Sequence, residues 1–208
     1  MNAPLPLYLA VEDELSEFVL RRIIAKRPAL QVAAVFSRGG SGYLRKRASG
    51  FNQAARHRPF LLLTDLDKGV CAPDLIREWL AGKQRHPRFL LRVAVPEVES
   101  WLLADGDGLR RFLGLRRAKD IAQPEQLADA KAELLLWAEK AATRDIREAL
   151  VWRDKDGQRH PGPDYNGTLV RFVQNHWNVQ AAARRCGSLA GLIRAVAELE
   201  RGSRRGRA

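Results

Sequence analysis

The chain has 208 residues, of which 46% are hydrophobic and 29% charged, which is enough for a full hydrophobic core and ordinary for a globular protein. No apolar run approaches the ~20 residues of a membrane helix, and Met1-Asn2-Ala3-Pro4 lacks the positive start of a secretory signal. Two cysteines, Cys71 and Cys186, exclude a disulfide framework and a zinc site, while a formal charge of +12 favours polyphosphate partners. These features predict a cytoplasmic protein with reduced thiols. The arginines are scattered, and only Arg201–Arg207 is a compact basic run, so charge by itself supports nucleic acid only modestly.

In chain order, Leu5–Val11 is a short apolar run that predicts a buried strand, ending at Glu12-Asp13-Glu14. Leu15, Phe18, Val19, Arg22, Ile23 and Ile24 follow a helical period that Pro28 closes. Gln31–Phe36 predicts a second strand. The loop 37–42 then leads into a basic helix through Arg56. Phe60–Thr64 predicts a third strand ending at Asp65-Leu66-Asp67, followed by a short helix over Pro73–Leu80. Phe89–Val95 predicts a fourth strand, ending at Pro96-Glu97-Val98-Glu99. Strands alternating with helices imply βαβ units, right-handed crossovers and a parallel sheet.

After Trp101 the strand signals stop. Glu125–Ala142 predicts one strong helix, with Leu127, Ala130, Leu134 and Trp137 on one face. Val151–Tyr165, polar and rich in Gly, Pro and Asp, predicts a loop. Gly167–Val179 and Ser188–Leu199 predict two more helices. The expected organisation is an α/β domain over 1–105, a helical appendage over 106–200 packed on it, and a basic tail over 201–208 expected to be disordered.

Three of the four predicted strands end in carboxylates: Glu12, then Asp65 and Asp67, then Glu97 and Glu99. A parallel sheet brings those ends to one edge, where ligands bind. Converging carboxylates repel unless a cation neutralises them, and hard oxygen donors suit Mg²⁺ or Mn²⁺. Each acid also has an ordinary reading, as a helix N-terminal charge or a turn residue. Their recurrence at successive strand ends favours a metal site.

Val11-Glu12-Asp13-Glu14, with Asp65 closing an apolar strand, partly resembles a response-regulator receiver. The long gap from Glu12 to Asp65, the second acid Asp67 and the acids after strand four speak against that reading. The pattern more closely resembles the TOPRIM domain of topoisomerases, primases and overcoming-lysogenization-defect (OLD) nucleases. That signature is a Glu after strand one and a DxD after strand three, here Glu12 and Asp65-Leu66-Asp67; the family's usual Gly after the Glu is Asp13 in this chain.

More narrowly, the whole chain resembles the TOPRIM-like bacterial domain-of-unknown-function family 4276. The resemblance rests on Val11-Glu12 with Glu17, Arg38-Gly39, Asp65-Leu66-Asp67, the Glu97–Asp105 stretch (EVESWLLAD) and the closing helices. It implies a TOPRIM-like, Rossmann-like fold of about four parallel strands. It also implies a metal-dependent site and a setting beside ATPases in anti-phage loci. In such a nuclease Glu12, Asp65 and Asp67 would be catalytic and would bind Mg²⁺, Glu97 and Glu99 would complete a second ion position, and Arg38 and Lys68 would grip phosphate of DNA or RNA. The alternatives are a non-catalytic binding or regulatory subunit and, further off, a receiver-like phosphoacceptor.

Other motifs are weak. Arg38-Gly39-Gly40-Ser41-Gly42 lacks the P-loop ending, the four histidines have no metal spacing, and Asp154-Lys155-Asp156-Gly157 has too few ligands for a calcium loop. Tyr8, Tyr43 and Tyr165 lack a convincing nucleophile context. The five tryptophans are expected in cores.

Overall fold

The structure, a computed structural model, describes residues 3–37, 39–67 and 71–205. Among them no helix is long and apolar enough to cross a membrane. The chain forms two compact units, residues 1–95 with 188–208 and residues 96–187. This division differs from the 1–105 and 106–200 split read from the sequence.

The first unit begins as an alternating series: β1 (Leu5–Ala10), α1 (Glu14–Ile24), β2 (Leu30–Phe36), α2 (Gly40–Ala54), β3 (Phe60–Asp65), α3 (Ala72–Trp79) and β4 (Phe89–Ala94). The strands pair in the order β2-β1-β3-β4, all parallel. This is the α/β, Rossmann-like parallel sheet of four strands that the alternation of strands and helices predicts. Central β3 is buried from Phe60 through Thr64, as expected for a strand covered on both faces.

Side chains alternate across the sheet. On one face Ala10, Phe60, Leu62, Phe89 and Leu91 pack with Leu44, Ala48 and Phe51 of α2 and Trp79 of α3. Phe51 stacks on Phe60 with ring centroids 5.2 Å apart. Each large side chain buried this way contributes roughly 1.5–3 kcal/mol. Leu7, Leu9, Leu61 and Leu63 alternate with that set and are fully buried.

Local chemistry sets the helix ends. Asp13 caps α1 by accepting from the Ser16 amide at 2.8 Å, with Glu14 and Glu17 in the first turn and Arg21 and Arg22 in the last, the signs the helix dipole favours. Gly39 and Gly40 open α2 at φ +85° and +64°, backbone angles that a side chain would disfavour.

The second unit contains α4 (Val98–Ala104), α5 (Gly106–Phe112), a 3-10 turn at Pro124–Gln126, α6 (Ala130–Ala138), α7 (Arg144–Leu150), β5 (Val151–Arg153), β6 (Arg159–Pro161), α8 (Tyr165–Asn175) and α9 (Val179–Ala183). Every residue of α4 is buried, and Trp177 Nε1 donates to the Trp101 carbonyl at 3.2 Å. The last helix, α10 (Gly187–Arg205), belongs to the first unit from Ser188 onward.

Four expectations need correction. Val151–Tyr165 is not a loop throughout, because β5 and β6 pair as an antiparallel hairpin. The single helix expected over Glu125–Ala142 starts only at Ala130, where Asp129 breaks the chain as an N-cap, accepting from the Ala132 amide at 2.7 Å. Arg201–Arg205 is helical, not a disordered tail, since α10 continues through it and Ser203 Oγ donates to the Glu200 carbonyl at 2.8 Å. Of the five tryptophans, Trp152 is 50% exposed, while the other four are buried.

Candidate metal centre

In a parallel sheet the carboxyl ends of adjacent strands lie side by side. Ala10 of β1 pairs with Leu62 of β3, so two residues further on Glu12 comes abreast of Thr64. The Thr64 hydroxyl donates to Glu12 Oε1, and the Asp65 amide donates to the same oxygen at 3.0 Å. Thr64 is 1% exposed, which locks the pair in place. Among the described residues, Glu12 Oε2 accepts no hydrogen bond, so one oxygen anchors the side chain and the other remains available.

The electrostatics are unfavourable for a bare carboxylate. Burial pushes the Glu12 carboxyl above its usual range, and the charges of Asp67 and Asp13 push it the same way. The Thr64 and Asp65 hydrogen bonds oppose them. Asp65 closes β3 half-buried, and the Leu66 amide continues the ladder to the Ala94 carbonyl at 2.9 Å. Asp67 is exposed and sits at φ +50°. An aspartate tolerates this left-handed region better than most residues, though the conformation carries strain of a kind that recurs at functional sites.

Glu12 and Asp67 therefore feel each other's charge with Asp65 between them in sequence. Among the described residues, however, no three or more His, Cys, Asp or Glu side chains form a group that could hold a metal ion. The donor set nonetheless fits a hard dication. It is all oxygen, the charges of Asp67 and Asp13 raise the proton affinity of Glu12, and Glu12 keeps an open oxygen. Mg²⁺ takes few carboxylates and keeps several waters. Arg38 and Lys68, the expected phosphate-binding cations, lie outside the described residues.

Glu97 and Glu99 belong to the second unit, and both have partners there. Glu97 Oε1 accepts from the Lys131 amide at 2.5 Å in the first turn of α6. Burial, then the neighbouring Glu99 charge, raises its carboxyl above the usual range. Glu99 is 4% exposed; it accepts from Tyr165 Oη at 3.0 Å and pairs with Lys131 Nζ at 3.3 Å. Lys131 also lies 5.9 Å from the centre of the Tyr165 ring. These partners come from α6 and α8, remote in sequence from α4, and no local spacing signals them.

The rest of the EVESWLLAD stretch is equally engaged. Ser100 Oγ donates to the Glu97 carbonyl at 2.7 Å. Asp105 caps α5 through the Gly108 amide at 3.2 Å and accepts from the Asn178 amide at 2.7 Å. The motif thus fixes α4 to α6, α8 and α9 within its own unit.

No protein-family model matches the chain, and no curated protein matches it. Among solved structures it is similar to the C-terminal region of the OLD protein of Xanthomonas campestris pv. campestris, at 16% identity and a TM-score of 0.37. That match covers 81% of this chain and 94% of the other.

Proposed function

We propose that this protein is a Mg²⁺-dependent, TOPRIM-like nuclease or nucleic-acid-processing protein, acting with an ATPase partner in anti-phage defence. The observation that carries this reading is the seat of Glu12: a partly buried carboxylate, oriented through one oxygen by Thr64 and the Asp65 amide, at the carboxyl edge of a parallel sheet beside Asp65-Leu66-Asp67. Glu12, Asp65 and Asp67 would hold the ion. A divalent ion there supplies charge to polarise a phosphodiester oxygen and acidify a water.

The chain's own contribution is orientation and proton acceptance. Glu12 Oε2 is the oxygen placed to take a proton, and its raised affinity suits a general base. Arg38 and Lys68 are the cations proposed to grip phosphate. Glu97 and Glu99, already engaged by Lys131 and Tyr165, are not required. Kinship with the domain-of-unknown-function family 4276 belongs to the same reading.

Cleavage of single- and double-stranded DNA and RNA, followed on gels with Mg²⁺ or Mn²⁺, tests it. Cutting should need the cation and disappear in Asp65→Asn/Asp67→Asn. A folded, metal-loaded protein that cuts none of these, with or without an ATPase partner, overturns the nuclease. The second reading, a non-catalytic subunit that keeps the fold for assembly, is favoured by the lack of a closed three-ligand group among the described residues. Partner binding unchanged by the same two substitutions, in a chain that never cuts, would select it.

A further inference from the structure

The opposite edge of the same sheet carries a second charged feature, independent of the carboxylates. A cavity of about 550 Å³ opens between the amino-terminal parts of β1 and β4 and the helix α10. Arg85 and Arg88 precede β4, Arg92 lies on it, and Leu90 shares its face. Leu5 of β1 and Leu199 of α10 supply apolar wall, and Glu198 supplies the one carboxylate.

The charges there do not balance. Arg92 bears burial and the like charges of Arg85 and Arg194, against Glu198 alone. Its Nε is buried without a hydrogen-bond partner. Arg88 donates to the His57 carbonyl at 2.7 Å, and no ion pair closes on Arg85, Arg88 or Arg92 among the described residues. Three guanidinium groups outnumber the single carboxylate of the lining, and half-buried Arg92 bears most of that imbalance, so an anion bound here would be stabilised. Guanidinium groups match phosphate through paired N–H donors and also stack on flat rings. The volume falls within the range of small-molecule sites.

We propose that this cavity binds an organic phosphate, with the phosphate against Arg85, Arg88 and Arg92 and a flat or apolar body against Leu5, Leu90 and Leu199. A nucleotide has this chemistry, whether free or at the 5′ end of a strand.

Calorimetric titration of the full chain with adenosine monophosphate, with 5′-phosphorylated tetrathymidylate and with the same oligonucleotide lacking the phosphate tests the proposal. Binding of the monophosphate alone supports a free nucleotide, and binding of the phosphorylated strand as well supports a strand end. Arg85 is exposed, so Arg85→Ala should fold normally and weaken binding by roughly tenfold or more. Arg92→Met, checked for folding by circular dichroism, should do the same. Asp65→Asn/Asp67→Asn should bind as the unaltered chain does, so failure here is separable from failure of the nuclease reading. No binding of either phosphorylated probe overturns the proposal. So does undiminished binding by Arg85→Ala, loss of binding in the Asp65/Asp67 variant, or inorganic phosphate binding as tightly as the nucleotide.

Discussion

Thr64 decides how Glu12 is presented. Its hydroxyl is buried and spent on Oε1, and valine would keep its shape while deleting the donor. Thr64→Val should cost about 1–2 kcal/mol in urea denaturation, since a partly buried carboxylate loses a neutral hydrogen bond. It should also weaken Mn²⁺ binding by titration, while Thr64→Ser should restore most of that affinity; equal binding by all three proteins would mean that Glu12 needs no such positioning. At this scale the sequence was only half readable. The acids at the strand ends were visible as letters, and the sheet register places two of them together. What no letter revealed was that Glu99 is occupied by Lys131 and Tyr165, because those partners arrive from distant helices. Asp13, which stands where the TOPRIM signature has a glycine, has a plain local cause as the cap of α1.

Among elements, the four parallel strands were legible because burial on both faces demands continuous apolar runs, and Phe60–Thr64 is such a run. The β5–β6 hairpin was not, because its strands are three residues each and mostly polar, with Trp152 exposed and stacked on His160 at 4.8 Å. Its anchor is remote: Glu139, the C-cap of α6, accepts from Arg153 at 2.5 Å and from Arg159 at 2.8 Å. Those two hydrogen bonds hold the Glu139 carboxyl below its usual range. A depressed carboxyl stabilises the fold above its ordinary titration range and loses that contribution as pH falls through the lowered value. Glu139→Gln should therefore speed hydrogen exchange of the hairpin amides at neutral pH, and the difference from the unaltered chain should fade only once the pH falls below the ordinary carboxylate range. A difference that persisted in acid would point to packing instead of charge.

Across the whole molecule, some of the 36 Lys and Arg side chains sit in local pairs, such as Arg45 with Glu78, Arg144 with Glu148 and Arg185 with Asp120, and the net +12 resides on the cations left over. Most of these pairs are exposed and contribute little. The cluster of Arg85, Arg88 and Arg92 differs in having no such pairing. The first unit also depends on its last segment, for Glu200 of α10 pairs with Arg27 at 3.4 Å, and Ala195 and Leu199 wall the cavity beside Leu90 and Arg92. Removing residues 188–208 should leave the sheet sensitive to limited proteolysis, with cuts in 1–95 appearing before cuts in 96–187; indifference to that truncation would show that the sheet does not need the helix.

That same helix imposes an order of events on the ribosome. Residues 1–95 emerge first but must wait for Ser188 onward, while the intervening unit is contiguous and has all its parts as soon as Gly187 clears the exit tunnel. The first-made half is thus the last completed, and during that interval the leucines Leu90 and Leu5 and the guanidinium of Arg92 lack their cover. A nascent chain stalled before α10 is the species on which a chaperone would act.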